Sequence, residues 1–445
     1  MDKLKTNKVY IGNCLDVLKT FPNESIDMCI TSPPYWGLRD YGTEGQIWGG
    51  DENCDHDFTS STRKLHSGSW GEKDNALPHQ KNATILNWEV EDKVCRKCGA
   101  WKGELGLEPT PEMFISNLCD IFDEIKRVLR PHGSCWVNLG DSYCRNPNSQ
   151  DKTGKTGIKT MKYDYNFKHK KNYGTTYKTK SLVQIPSRFA IEMTNRGWIL
   201  RNEIIWHKPS CLPASVRDRF TVDFEKMFFF TKNPKYYFKQ QIEPVKEVSL
   251  KRAQYGLNQT DNPQKAVNVQ NMDKMGNRFV NPKGRNKRTV WHVNTASFKD
   301  AHFAVYPPEL IQSPIDAGCP EFVDRKTKEP RERIIEKSTL ERHELPTSDP
   351  SYRPSRYEGK YEQGQRVTTY NDVGYNDGRD DSEFEPGIVL DPFFGSGTTA
   401  EVAMSQDKDW VGIELNKDYI QISDKRLEKP KIARKTRIHS KKFWD

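Results

Sequence analysis

A chain of 445 residues with only 34% hydrophobic residues and a mean hydropathy of −0.87 suits one large catalytic domain with insertions, or two to three domains. It is too lean for all of it to lie in a packed core. No apolar run approaches the ~18 residues of a membrane span, and the start MDKLKTNKVY lacks an apolar signal core, so membrane and secreted readings are excluded and a soluble, cytoplasmic protein is expected.

Taken in chain order, residues 8–12 (KVYIG) and 26–30 (IDMCI) read as short strands around a helical LDVLKTF segment. The second strand runs into TSPPYWGLRDYG, where two prolines forbid its continuation. A polar stretch follows that holds Cys54-Asp-His56 and Cys95-Arg-Lys-Cys98-Gly. Four soft or borderline ligands suit a tetrahedral structural zinc site at Cys54, His56, Cys95 and Cys98; the alternative is two unrelated pairs of free thiols. Thr110-Pro111-Glu112 then starts a helix, with apolar residues at 114, 118, 121, 122, 125, 128 and 129 forming one face.

SCWVNLGD (134–141) reads as the next strand. Residues 143–180 follow with ten basic residues against two acidic ones, interleaved with aromatics. Beyond them come a helix near 187–196, strands near 198–206 and 226–232, and a second basic stretch, 249–288, with nine against two. Both stretches read either as solvated loops or as arms that neutralise phosphates, a choice that the modest net charge of +9 leaves open. A helix around PPELIQ precedes residues 320–386, which are charged and poor in aliphatics, and the chain closes with GIVLDPFFGSGTTAEVAM and DWVGIELNKDYIQISDKRL. The expected division is catalytic-domain pieces at 1–48, 102–142, 181–248, 289–319 and 387–430. These are separated by a zinc-binding insertion (49–101), basic DNA-contacting (143–180) and target-recognition (249–288) regions, a flexible surface insertion (320–386) and, at the end, a basic tail (431–445). Strands and helices in alternation imply an α/β fold whose mainly parallel sheet is covered on both faces.

Two segments carry chemistry. Ile388-Val389-Leu390 is a buried-type strand ending at Asp391, followed by a tight Pro392-Phe-Phe-Gly395-Ser-Gly397 loop, and Thr398 opens a helix. Such a loop lets backbone approach a ligand, and the acid ending the next strand, Glu414, suits ribose hydroxyls. Near the other terminus, Thr31-Ser32-Pro33-Pro34-Tyr35 ends a strand. Its prolines leave carbonyls without a neighbouring amide. Ser32 and Pro33 can accept from an exocyclic amino group while Tyr35 stacks on the ring that bears it.

TSPPYWGLRDYG with LDPFFGSGTT resembles the S-adenosylmethionine-dependent DNA amino-methyltransferases, and the order, catalytic motif first and cofactor loop last, is that of their β class. The resemblance takes in GNCLDVLKTFPNESIDMCI, EPTPEMF, RVLRPHGSCWVNLGDSY, RNEIIWHKP, RDRFTVDFEKMFFFTK and AHFAVYPPEL. It implies a Rossmann-like methyltransferase fold with circularly permuted motif order. Ser32, Pro33, Pro34 and Tyr35 would be the catalytic motif. Asp391, Phe393, Gly395, Gly397 and Thr398 would hold S-adenosyl-L-methionine, Glu414 its ribose, and Phe303 and Pro307 would lie against it. Relatives often carry Gly-Asp where this chain has Gly12-Asn13, so contact with the adenine moiety falls to Asn13 or Asp16. Relatives often carry cysteine pairs near 319–328, where this chain offers only Cys319, and no second metal site is expected.

Methylation at cytosine C5 requires a thiolate typically presented after proline, and the chain contains no Pro-Cys dipeptide. The family pairs Ser-Pro-Pro-Tyr with cytosine N4 and Asp-Pro-Pro-Tyr with adenine N6, which favours N4 of cytosine, with adenine N6 the alternative. RNA and protein-glutamine methylation stand further off, because in those enzymes the cofactor segment usually precedes the catalytic motif. The expected partners are double-stranded DNA, whose target base must leave the helix, and a cognate restriction endonuclease.

Overall fold

In a computed structural model, residues 4–38, 42–58, 61–66, 85–90, 93–144, 177–178, 180–246, 284–295, 306–341, 366–375 and 377–441 are described. The central elements are β1 (Lys8–Ile11), α1 (Cys14–Lys19), β2 (Ile26–Thr31), α2 (Pro111–Val128), β3 (Leu129–Leu139), α3 (Ile185–Asn195), β4 (Ile199–His207), β5 (Phe224–Thr231), β6 (Val290–His292), α4 (Pro308–Gly318), β7 (Ile388–Asp391), α5 (Thr398–Ser405), β8 (Asp409–Glu414) and α6 (Lys417–Lys441). The eight strands form one sheet in the order β1-β8-β7-β2-β3-β5-β4-β6. Pairing is parallel from β1 to β3 and between β4 and β6, and antiparallel on both sides of β5. The fold is therefore α/β and Rossmann-like, with a mainly parallel sheet.

Both faces of this sheet are covered. Met227 and Phe229 of β5 point into one core with Met28, Ile30, Val389 and Trp410, against Leu310, Ile311 and Ile315 of α4 and Ala400 and Met404 of α5. Phe228 and Phe230 point the other way, among Cys29, Val137, Leu390 and Ile413, against Phe114, Leu118 and Phe122 of α2 and Phe189 and Met193 of α3. That period-2 switch is why KMFFFTK is apolar throughout, as a strand buried on both faces must be. The Thr110 side chain accepts from Met113 N at 3.2 Å and Pro111 opens α2, so the helix starts where its sequence signals it.

The direction of the strands decides where chemistry can gather. β1, β2, β3, β4, β7 and β8 all deliver their carboxyl ends to one edge. Because β5 alone runs backwards, its first residues, Phe224 and Glu225, arrive at that edge too.

The surface insertion expected at 320–386 is built at both ends. Phe322–Asp324 pairs with Phe384–Pro386, and Val323, Asp324, Arg331 and Phe384 are buried. Arg331 bridges to Asp377 at 2.8 Å and Asp381 at 2.6 Å while its guanidinium lies 4.1 Å over the Phe384 ring. A polar segment with few aliphatics orders itself here through ion pairs and cation–π contact. Most of the basic stretches, 145–176 and 247–283, lies outside the described residues.

Candidate active site

A cleft of about 450 Å3 opens at the carboxyl edge of the sheet, and Ser32, Pro33, Pro34, Tyr35, Asp391, Phe393, Gly395, Thr398, Glu414 and Asn13 all line it. Segments near the two ends of the chain thus meet in one space. What joins them is Asp391. Its carboxylate accepts from Thr31 Oγ1 at 2.6 Å, Thr399 Oγ1 at 2.5 Å, Tyr306 Oη at 3.0 Å and Phe393 N at 3.1 Å. Burial raises the carboxyl above its usual range, against the pull of these donors. With four donors already placed, Asp391 acts as the clamp between the end of β2 and the loop after β7 rather than as a free ligand group.

The loop itself is shaped by close approach. Phe394 N donates to Ile413 O at 3.0 Å, and its ring stacks on Trp410 at 5.2 Å between centroids. That ring lies so near β8 that a Cβ on Gly412 would meet its Cδ2 at 2.3 Å. Gly395 and Gly397 take φ of +51° and +83°, where side-chain-bearing residues are strained. Gly395 N donates to Glu414 Oε2 at 2.7 Å and Asn416 N to Oε1 at 2.8 Å. Burial raises the Glu414 carboxyl while those amides hold it down. Each oxygen keeps a further lone pair for a hydroxyl at the cleft.

Around Ser32 the hydroxyls form a directed chain. Ser32 Oγ donates to Tyr35 Oη at 3.2 Å, and Tyr35 Oη donates to Glu225 Oε2 at 2.6 Å. Lys208 Nζ pairs with the other oxygen of Glu225. Ser32 therefore spends its proton inward and presents lone pairs to the cleft. The Pro34–Gly37 turn is backed by Glu108: Trp36 Nε1 donates to its carbonyl at 3.0 Å, Gly106 N to Oε2 at 2.8 Å and Asn117 Nδ2 to Oε1 at 3.2 Å. Burial pushes the Glu108 carboxyl up to about 7.

Not every expected residue arrives. Asn13 caps α1, its Oδ1 accepting from Leu15 N at 2.8 Å, and lines the cleft. Asp16 is turned outward and does not. Pro307 is buried at the start of α4 without reaching the cleft, where its neighbour Tyr306 stands instead. Gly397 sits just behind the lining as the residue before α5, and Phe303 lies outside the described residues. Glu225, Lys208, Asn138 and Tyr306 complete the site and were not singled out from sequence. Only the reversed strand brings Glu225 to Tyr35.

Cys54, His56, Cys95 and Cys98 come together, their four ligand atoms all within 4.8 Å of one another. Cys54 Sγ lies 3.9 Å from Cys95 Sγ, and Cys98 Sγ lies 3.4 Å from His56 Nδ1. Asp57 N donates to Cys95 Sγ at 3.3 Å. The cluster braces the cleft wall, because the strand pair Gln46–Trp48 and Trp101–Gly103 runs directly out of it and Gln46 and Trp48 line the cleft.

A family model described as DNA methylase matches residues 26–323 and 380–425. The chain belongs to this DNA methylase family. With Ser32-Pro-Pro-Tyr ahead of the glycine loop, this DNA methylase is a β-class amino-methyltransferase of the N6/N4 type. It is 29% identical over 423 residues to the type II methyltransferase M.Cfr9I of Citrobacter freundii, covering 94% of this chain and 87% of that protein. To M.SmaI of Serratia marcescens it is 28% identical over 425 residues, with 95% and 91% covered. Among solved structures, the PvuII DNA methyltransferase (cytosine-N4-specific) aligns with a TM-score of 0.40 at 15% identity, over 95% of this chain and 86% of that one. Among the described residues no helix of this DNA methylase is long and apolar enough to cross a membrane.

Proposed function

We propose that the protein transfers a methyl group from S-adenosylmethionine to the exocyclic N4 of cytosine in double-stranded DNA, on a base swung out of the helix. The observation that carries this reading is the shared cleft, with the Ser32 hydroxyl aimed at it by Tyr35 and Glu225 and the Gly395 loop facing it. The Gly395 loop and Glu414 would hold the cofactor, which supplies an electrophilic methyl group when bound.

The amine lone pair is delocalised into the base until its protons are drawn toward acceptors. Ser32 Oγ and the Pro33 carbonyl are those acceptors, and a neutral hydroxyl here is the family's mark of cytosine. As the N–CH3 bond forms and the S–CH3 bond breaks, the nitrogen sheds a proton. Ser32 takes it and passes its own to Tyr35, whose proton moves to Glu225, with Lys208 holding that carboxylate in place. No covalent bond to the protein is needed.

Cys54, His56, Cys95 and Cys98 would hold a structural zinc ion. Zinc–ligand bonds of ~2.0–2.3 Å in a tetrahedron separate the ligand atoms by roughly 3.4–3.8 Å, and the contacts of 3.4 and 3.9 Å sit at that spacing. Metal analysis of purified protein should return one zinc per chain, and loss of it on chelation should lower the melting temperature; protein without zinc and unmoved by chelation would exclude the site. The type II relatives support a place beside an endonuclease that reads the same DNA site. Incubation with methyl-labelled S-adenosylmethionine and duplex DNA, RNA or protein tests the substrate class. Label should enter duplex DNA; label confined to RNA or protein would overturn the reading.

A further inference from the structure

Sixteen residues, 208–223, join β4 to β5, and the irregular stretch 209–223 carries the most exposed large hydrophobics of the described residues: Phe220 is 96% exposed and Leu212 91%. An apolar ring held out in water costs free energy and is retained where something covers it. The loop is not a loose tether. Its two ends are tied where Lys208 N donates to Asp223 O at 2.7 Å, Ser210 Oγ donates to Asn294 Oδ1 at 2.9 Å, and Ala214 N donates to Thr221 Oγ1 at 3.3 Å across its middle. Its roots, Lys208 and Glu225, both line the catalytic cleft, so the loop springs from the edge of that site.

Charge identifies the occupant. Arg217 and Arg219 lie just before Phe220 in the chain, and Arg217 makes no ion pair among the described residues. The acids of the loop are occupied: Asp218 pairs with Lys180 at 2.6 Å, and Asp223 faces His207 Nε2 at 3.3 Å. Arg219 stacks 3.7 Å over the Tyr143 ring. An exposed aromatic beside two cations, neither of them paired with an acid among the described residues, fits a phosphate backbone with stacked bases inside it, not an apolar protein surface.

We infer that the 209–223 loop docks on DNA at the target site and that Phe220 enters the base stack in the space the extruded base leaves. This rests on the reading of the protein as an enzyme that acts on a flipped base. A planar side chain there stacks on the neighbouring pairs and offsets the cost of unstacking. Arg217 and Arg219 would meet phosphates and set the loop's approach.

The test compares wild-type, Phe220→Ala and Phe220→Trp proteins on two duplexes that carry the recognition sequence, found by mapping methylated positions. One duplex is fully paired, and the other has an abasic site opposite the target base. On the paired duplex Phe220→Ala should lose about tenfold or more in kcat/KM, the scale of one lost base–aromatic stack, while Phe220→Trp stays near wild type and cofactor affinity by calorimetry is unchanged. On the abasic duplex, where the pair need not be broken, the deficit of Phe220→Ala should shrink to within about threefold. Equal losses on both duplexes, or no loss on the paired one, overturn the assignment while leaving the methyltransferase reading intact. A wild type inactive on every DNA removes that reading and this one together.

Discussion

One methyl group placed outside the cleft should disable cofactor binding. Gly412 lies in β8 and does not line the cavity, yet a Cβ there would meet Phe394 Cδ2 at 2.3 Å, Cγ at 2.5 Å and Cε2 at 2.7 Å. These overlaps exceed 1 Å, and Cγ is at the root of the side chain, so no small rotation relieves them. Phe394 is also pinned, 3% exposed, stacked on Trp410 with its amide bonded to Ile413. Gly412→Ala must therefore lift the ring and the loop that carries it, which strains the Gly395 N–Glu414 bond of 2.7 Å. Overpacking of this kind costs about 1–3 kcal/mol of stability, and loss of a bond to a charged group about 1.5–3 kcal/mol. If about 2–3 kcal/mol of the distortion must be undone when ligand binds, affinity falls about 30- to 150-fold. Titration calorimetry with S-adenosylmethionine measures this directly, with circular dichroism to confirm folding. Trimming the ring in Gly412→Ala/Phe394→Leu should recover much of the affinity. A folded Gly412→Ala protein that binds the cofactor as wild type does would refute the loop geometry.

Ser32→Ala should lower kcat about 100-fold or more with cofactor affinity near normal, since it removes an acceptor used as the amine attacks; equilibrium binding and single-turnover rates separate the two, and collapsed cofactor binding would contradict the role. Thr31→Val deletes the buried 2.6 Å bond to Asp391 and should cost about 1–3 kcal/mol in urea unfolding; an unchanged midpoint would deny Asp391 its clamp. Glu108 is protonated in the folded chain up to about pH 7, while an unfolded glutamic acid releases its proton near 4.5. The folded state thus holds a proton the unfolded state has lost, and stability falls as pH rises through that window. Glu108→Gln should accordingly gain up to about 3 kcal/mol over wild type at pH 8, the gain shrinking towards zero near pH 5; a pH-independent difference would contradict it.

The two loops that meet at the cleft were legible because tight turns at strand ends leave compositional marks, Pro33-Pro34 in one and Gly395-Ser396-Gly397 in the other. The cysteine cluster was legible for a similar reason, as ligand spacing is local. Residues whose place depends on tertiary direction were not. Glu225 reads as one acid in FEKMFFFT, and nothing in that run shows that the strand is reversed. The resemblance offers Asn13 or Asp16 for the adenine moiety, and with Asn13 capping α1 the helical phase turns residue 16 to solvent. Arg331 reads as a solvated charge in a polar run, and only the fold surrounds it with Asp377, Asp381 and Phe384.

The account turns on an amino nitrogen of DNA receiving the methyl group at Ser32. Duplex DNA incubated with the protein and deuteromethyl-labelled S-adenosylmethionine, digested to nucleosides and read by mass spectrometry, should yield labelled N4-methyl-2′-deoxycytidine alone. Label on N6 of adenine would contradict the choice of base, and label on C5 of cytosine, or none in DNA, would contradict the mechanism.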